Sequence, residues 1–268
     1  MAFFKKSDSG TSISLTNMGK GEDFFKKGQS YFVAKNYEKA IPYFKKALEL
    51  NFLLAKAHLN LGLSYYHLGR YQEAVEAFKE GNRINPDDVL AHYSMGVSYY
   101  NLGRYQEAVE AFKQAIRLRP SYIEARNKLG QSYYDAGRYQ EGEEIYKEAS
   151  SLYPDYDAHH NLGQSYGHLG RNQEAIEAYK ETIRIKPDFA DAHNNLGLAY
   201  GNFGCYQEAI EAYKEAIRIK PDFAEAHYNL GVAYCNLGGK ELALEEYKVL
   251  KELDQEWAYA LFKQINTK

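Results

Sequence analysis

Apolar and small side chains recur along residues 55–88 at three- and four-residue steps, in two runs with a glycine between them. Ala57, Leu61, Tyr65 and Leu68 form the first run, closed by Gly69; Ala74, Val75, Phe78 and Ile84 form the second, which ends near Asn85-Pro86. This spacing predicts two short amphipathic helices. Pro86 cannot continue a helix, and Asp87 or Asp88 can accept the free N–H groups of the next one. The same proline signal returns at Pro120-Ser121, Pro154-Asp155, Pro187-Asp188 and Pro221-Asp222. Arg184, Lys186, Arg218 and Lys220 precede two of those prolines, where the negative end of a helix favours cations.

The pattern repeats. YQEAVEAF runs from Tyr71 to Phe78 and again from Tyr105 to Phe112, and QEAIEAYKE starts at Gln173 and at Gln207. Gly28, Gly62, Gly96, Gly130, Gly163, Gly197 and Gly231 anchor seven units, 34 residues apart except for one step of 33 after Gly130. The predicted units are 21–54, 55–88, 89–122, 123–155, 156–189, 190–223 and 224–255. Residues 1–20 read as a flexible polar tail. Residues 256–268 read as a capping helix, with Trp257, Leu261 and Ile265 at four-residue steps. Small residues (Gly62 on the first helix, Ala74 and Gly81 on the second) remove bulk where the backbones meet, and Tyr65 and Phe78 fill the space around them. One pair cannot bury its apolar face alone, so stacking must build the core.

His58, Leu61, Gly62, Tyr65, Ala74, Phe78 and Pro86 stand at the spacing of the W-x2-L-G-x2-Y…A-x3-F…P signature, and the chain resembles the tetratricopeptide repeat family. No unit has the tryptophan, the first ends in Phe52 where proline is usual, and the last has Leu250 where a small residue is typical. Pro42 falls near the start of the first unit's second helix, where a missing N–H costs less. The resemblance implies an all-α fold, a right-handed superhelical α-solenoid of stacked helix-turn-helix repeats, here with a C-terminal capping helix. It also implies a concave groove lined by the first helices.

Counting the anchor glycines as position eight, position six of that groove holds Lys26, Asn60, Ser94, Lys128, Asn161, Asn195 and Asn229. The asparagines are similar to the ladder of O-linked N-acetylglucosamine transferase-type arrays. A carboxamide both donates and accepts, so a row of them can pair with the backbone of an extended peptide. The row also reads simply as repeat consensus, and both readings stay open. Register puts Phe25, Phe32, Leu59, Tyr66, Tyr93, Tyr100 and Tyr134 on the N-terminal part of the groove. It puts His160, Gly167, His168, Asn194, Gly201, Asn202, Cys235 and Asn236 on the C-terminal part. Where Tyr gives way to Gly167, Gly201 and Cys235, room should open above the asparagines. Candidate peptide contacts are therefore Asn60, Asn161, Asn195, Asn229, Tyr66, Tyr93, Tyr100, Tyr134, Lys26 and Lys128. The family's carboxylate-clamp subclass would need Lys, Asn, Asn, Lys and Arg where Phe25, Gln29, Asn60, Leu90 and Ser94 stand; only Asn60 matches.

Charge and chemistry narrow the function classes. Lys plus Arg number 33 against 36 Asp plus Glu, a net charge of -3. That balance disfavours nucleic acid, which needs clustered cations. No apolar run is long enough for a membrane span or a secretory leader, so no membrane insertion and a cytoplasmic setting are expected. Two cysteines, Cys205 and Cys235, exclude a disulfide framework. His58, His92, His159, His193 and His227 occupy one repeat position, one per stacked unit, and read as packing residues rather than a metal site. His160 and His168 lie eight residues apart, too far to share one ion. No catalytic constellation, metal site or cofactor motif emerges. The expectation is a non-enzymatic interaction module whose groove binds a protein partner through an extended peptide. Two alternatives are a scaffold self-associating through its solenoid edges and a non-catalytic accessory of glycosyl transfer.

Overall fold

The computed structural model describes residues 9–152 and 155–267, with side chains from residue 17 onward. Among these residues there are fifteen α-helices and no strand. The chain divides into two compact units, residues 1–132 and 133–268.

The first unit holds α1 (Ser9–Val33), α2 (Tyr37–Glu49), α3 (Leu54–His67), α4 (Tyr71–Ile84), α5 (Val89–Asn101) and α6 (Tyr105–Leu118). Helix α7 (Ile123–Asp135) spans the division. The second unit holds α8 (Tyr139–Leu152), α9 (Tyr156–His168), α10 (Asn172–Ile185), α11 (Ala190–Phe203), α12 (Tyr206–Ile219), α13 (Ala224–Asn236), α14 (Lys240–Leu253) and α15 (Gln255–Thr267). Within each unit a helix packs mainly on the helices before and after it, as expected of stacked helix-turn-helix repeats. No helix among the described residues is long and apolar enough to cross a membrane.

The turn inside each pair has one solution. Gly69 takes φ +72° while the Arg70 N–H reaches back to the Tyr65 carbonyl at 2.9 Å, closing the helix C-terminus in the left-handed conformation that glycine tolerates. Gly103, Gly137, Gly170, Gly204 and Gly238 repeat it, whereas the first repeat places Lys35 there at φ +56°.

The anchor glycines face the aromatic of the second helix. A Cβ on Gly62 would stand 2.5 Å from Cε1 of Phe78, and one on Gly197 2.5 Å from Cε1 of Tyr213. Gly28 with Phe44, Gly96 with Phe112 and Gly163 with Tyr179 show the same contact. At Gly231 the neighbour is instead Leu261 of α15. That leucine is fully buried with Ala258 and Ile265, so α15 closes the last repeat. Trp257 packs against Tyr228, ring centroids 4.6 Å apart.

Three details differ from the sequence expectation: the start of α1, the place of Pro42 and the caps of α11 and α13. Helix α1 starts at Ser9, so residues 9–20 of the expected tail are helical, and residues 1–8 lie outside the described residues. No proline interrupts this stretch, and extending a helix from a formed nucleus costs little. Pro42 is the sixth residue of α2, past the opening turn, leaving the Glu38 carbonyl without its helical donor. Asp88 caps α5 by accepting from the Ala91 N–H at 3.0 Å, and Asp155 accepts from the Asp157 N–H. In α11 and α13 the cap position falls one residue later, on Phe189 and Phe223, which offer no side-chain acceptor.

The histidine position is also more polar than packing alone requires. His92, His193 and His227 each hold Nε2 at 2.9–3.0 Å from the carbonyl of the proline six residues earlier. In the fourth repeat Arg126 donates to the Pro120 carbonyl in the same way, at 2.8 Å. The side chain therefore pins the connection between repeats.

Candidate functional site

In the second unit the first helices of consecutive repeats, α9, α11 and α13, lie side by side. Two pockets open along them. One, of about 280 Å³, is lined by Tyr134, Gln164, Gly167, His168, Asn195 and Asn202 and floored by Tyr179. The next, of about 210 Å³, is lined by Leu198, Gly201, Asn202, Asn229 and Asn236 and floored by Tyr213. Gly201, Asn202, Tyr213, Asn229 and Asn236 are the one-repeat equivalents of Gly167, His168, Tyr179, Asn195 and Asn202, so the same structural positions build both pockets.

Glycine leaves the overlying position empty. A Cβ on Gly167 would meet nothing within 4 Å, and one on Gly201 only the Tyr213 hydroxyl at 3.8 Å. In the first unit the equivalent positions carry Phe32, Tyr66 and Tyr100. The corresponding hollow there, about 240 Å³, is rimmed by Tyr66 and Tyr93 with Leu63, Leu90 and Val97, and is mostly apolar. Its volume is close to those at Gly167 and Gly201, so the exchange of tyrosine for glycine shows in the lining, aromatic here and rich in asparagine there, rather than in the volume.

The asparagine row itself is engaged within the protein more than the sequence suggested. Asn195 Nδ2 lies 3.1 Å from His160 Nε2, and Asn229 Nδ2 donates to Asn194 Oδ1 at 3.0 Å. Asn194 in turn donates to Glu225 at 3.1 Å. Asn60 turns its amide back on the Lys56 carbonyl, 2.9 Å away. At Asn161 it is the backbone carbonyl that accepts from Ser165. Each pairing of Asn195 and Asn229 consumes one amide N–H, leaving a second N–H and the oxygen on a side chain that lines a pocket.

His160 must be neutral at Nε2 to accept from Asn195. Burial, opposed by the Asp191 carboxylate, lowers its pKa to about 4, consistent with that role. His227, by contrast, is pushed down by burial but held above its ordinary value by Glu246, whose carboxylate is 2.6 Å from Nδ1, and by the Pro221 carbonyl.

Four residues assigned to the groove by register are buried instead: Ser94 at position six, and Phe25, His160 and Asn194 at position five. Position five points between neighbouring first helices rather than out of the face. Tyr93 thus meets Tyr122 at 4.9 Å and His160 meets Phe189 at 5.0 Å, each ring packing on the start of the next repeat. Tyr93 is half-buried, and desolvation pushes its phenol up to about 12. Tyr134 has its phenol raised, first by burial and then by Tyr139, and meets His168 edge-on at 5.0 Å. Tyr100 lies against Tyr105, with the Lys128 ammonium 5.4 Å from its centroid. Lys128 also donates to Gln131. Lys26 is exposed and paired with Glu22 at 2.7 Å, a contact that raises its pKa.

Sequence reasoning missed Glu143. It is buried where other repeats carry Val75, Val109, Ile176 or Ile210, and Arg171 and Lys147 meet its carboxylate at 2.8 and 2.6 Å. The only signal was a glutamate in an otherwise apolar column. No group of three or more His, Cys, Asp or Glu among the described residues is placed to hold a metal ion. Cys205 and Cys235 form no disulfide and are half-buried.

The tetratricopeptide repeat model matches residues 25–89, 79–123 and 93–157, and a second model described as TPR repeat matches 168–204 and 204–238. The chain belongs to the tetratricopeptide repeat family. No curated protein matches its sequence. Among solved structures, MamA is 28% identical with a TM-score of 0.60, covering 64% of this chain and 94% of that one. YrrB, described as a TPR protein with an unusual peptide-binding site, is 23% identical with a TM-score of 0.60, covering 68% and 95%. A tetratricopeptide repeat protein from Parabacteroides merdae is 17% identical with a TM-score of 0.67, covering 92% and 99%. The last two likenesses concern the fold.

Proposed function

We propose that this tetratricopeptide repeat chain is a non-catalytic protein–protein interaction module that holds an extended segment of a partner on its first-helix face. Repeats of this family generally mediate contacts between proteins. The observation that carries the reading here is the pair of open pockets at Gly167 and Gly201, each walled by a carboxamide with hydrogen-bonding capacity left over. An extended backbone needs donors and acceptors in a row, and Asn195, Asn202, Asn229 and Asn236 supply them. Asn60, Asn161, Tyr66, Tyr93, Tyr100, Tyr134, Lys26 and Lys128 remain proposed contacts, each on the first helix of its own repeat.

Affinity capture from lysate with the parent chain and a Gly167→Tyr/Gly201→Tyr variant tests this. Tyrosine stands at the equivalent position in Tyr66, Tyr100 and Tyr134, so the variant fills the pockets with a residue the repeat already accommodates. A partner held by the parent and lost by the variant supports the groove. A partner retained equally by both refutes it.

A second reading, self-association, is favoured by the outer face of α15, where Tyr259 is 61% and Phe262 43% exposed beside a hollow of about 240 Å³. Sedimentation across a concentration series, with Tyr259→Ser/Phe262→Ser as control, decides it. Mass that rises with concentration in the parent and not in the control would favour assembly.

A further inference from the structure

The two pockets of the second unit constrain what the bound segment carries, an inference that rests on the groove reading above. Neither pocket is lined by Asp, Glu, Lys or Arg. A charged side chain entering would lose its hydration with no counter-charge to meet. An aliphatic side chain would displace water from the remaining N–H and oxygen of Asn195 and Asn229 without replacing its hydrogen bonds, which also costs. The walls combine carboxamides with the Leu198 side chain and the ring of Tyr179 or Tyr213.

The rings beneath Gly167 and Gly201 are Tyr179 and Tyr213, and the ring beneath Tyr134 is likewise Tyr146, whereas Phe44, Phe78 and Phe112 lie beneath Phe32, Tyr66 and Tyr100. The Gly167 and Gly201 pockets thus combine a phenol at the floor with no side chain at the overlying position. The chemistry that fits a neutral wall of donors and acceptors is a neutral side chain that itself donates and accepts, a carboxamide.

The spacing follows from the repeat. The pockets lie between α9 and α11 and between α11 and α13, one repeat apart, and packed helices are about 8–10 Å from axis to axis. A polyproline II segment advances about 3.1 Å per residue with three residues per turn, so side chains i and i+3 lie on one side about 9 Å apart. In a β-strand, side chains on one face come every second residue, about 7 Å apart, and fall out of step with the pockets.

We propose that this face selects an extended, polyproline II-like segment bearing two neutral carboxamide side chains, glutamine or asparagine, three residues apart. One occupies the Gly167 pocket and the other the Gly201 pocket. The aromatic hollow of the first unit is not needed for this selectivity.

The test uses the full chain and labelled Pro/Ala peptides carrying two glutamines, read by fluorescence anisotropy. Glutamines three apart should bind about tenfold tighter than glutamines two or four apart, roughly one hydrogen-bonded pocket's worth of free energy. They should also outbind the same peptide with two Leu, Glu or Lys. Gly167→Tyr/Gly201→Tyr should abolish the preference while keeping the parent's helicity and melting temperature or raising it. If all spacings and side chains bind alike and the filled variant loses them all, the groove reading stands and the selectivity is wrong. If binding is equal in parent and filled variant, or no peptide binds, the pockets are not the site and the proposal falls.

Discussion

Two glycines one turn apart on α11 give a direct measure of how the repeat is held together. Gly197→Ala places a Cβ 2.5 Å from Cε1 of Tyr213, against an ordinary carbon–carbon contact of about 3.5–4.0 Å. The Tyr213 ring is 3% exposed and fixed between helices, so it cannot step aside cheaply. Gly201→Ala places its methyl 3.8 Å from the Tyr213 hydroxyl, in open pocket. Both changes gain about the same helix propensity, near 1 kcal/mol. Their difference therefore isolates the overpacking, about 1–3 kcal/mol. Gly201→Ala should be stabilised by roughly 0.5–1 kcal/mol, and Gly197→Ala should be neutral to destabilised by about 2 kcal/mol. At about 2–4 °C per kcal/mol for a chain of this order, far-UV circular dichroism melts separate them readily. Urea titration of the same samples gives the difference as a free energy. Equal midpoints, or a more stable Gly197→Ala, would refute the packing argument.

Glu143→Ile restores the apolar column and removes a buried carboxylate, so it should leave stability unchanged or raise it by about 1–2 kcal/mol in urea titration, while Arg171→Ala should cost more than any other arginine-to-alanine change at a second-helix N-cap. His160 has its folded pKa lowered to about 4 from 6.5, so its contribution is present above 6.5 and is lost as pH falls toward 4, about 3 kcal/mol in all. Urea midpoints at descending pH should show that loss in the parent and a smaller one in His160→Gln. His227 works the other way: its raised pKa makes its contribution complete below about 6.5 and lost as pH rises through the folded value, a loss that Glu246→Gln should flatten. Leu261→Ala opens a cavity against Gly231 and should destabilise the last repeat by about 2–5 kcal/mol, seen as early hydrogen exchange in α13–α15.

The repeat geometry was legible because it is periodic. Anchor glycines, turn glycines and breaking prolines each recur at one position, and Gly69 or Gly62 alone states what its equivalents do. The empty overlying position at Gly167 and Gly201 was legible for the same reason, since glycine stands out in a column of larger residues. Pairings between side chains about one repeat apart were not. Asn195 with His160 and Asn229 with Asn194 depend on which way position five leans, and a register count cannot tell a residue facing out from one facing its neighbour. Glu143 was hidden because its partner Arg171 belongs to the next repeat, 28 residues on. The start of α1 was missed because a polar, proline-free segment carries no stop signal, and an adjoining packed helix extends through it.

The most direct test of the central claim maps where the partner lies. A photo-crosslinking amino acid at Asn202, on the shared rim of the two pockets, should yield covalent adducts to one extended segment of the captured partner. The same group at Glu181, on the second helix α10, should yield none. Adducts from Glu181 without adducts from Asn202 would place the partner on the other surface and contradict the account.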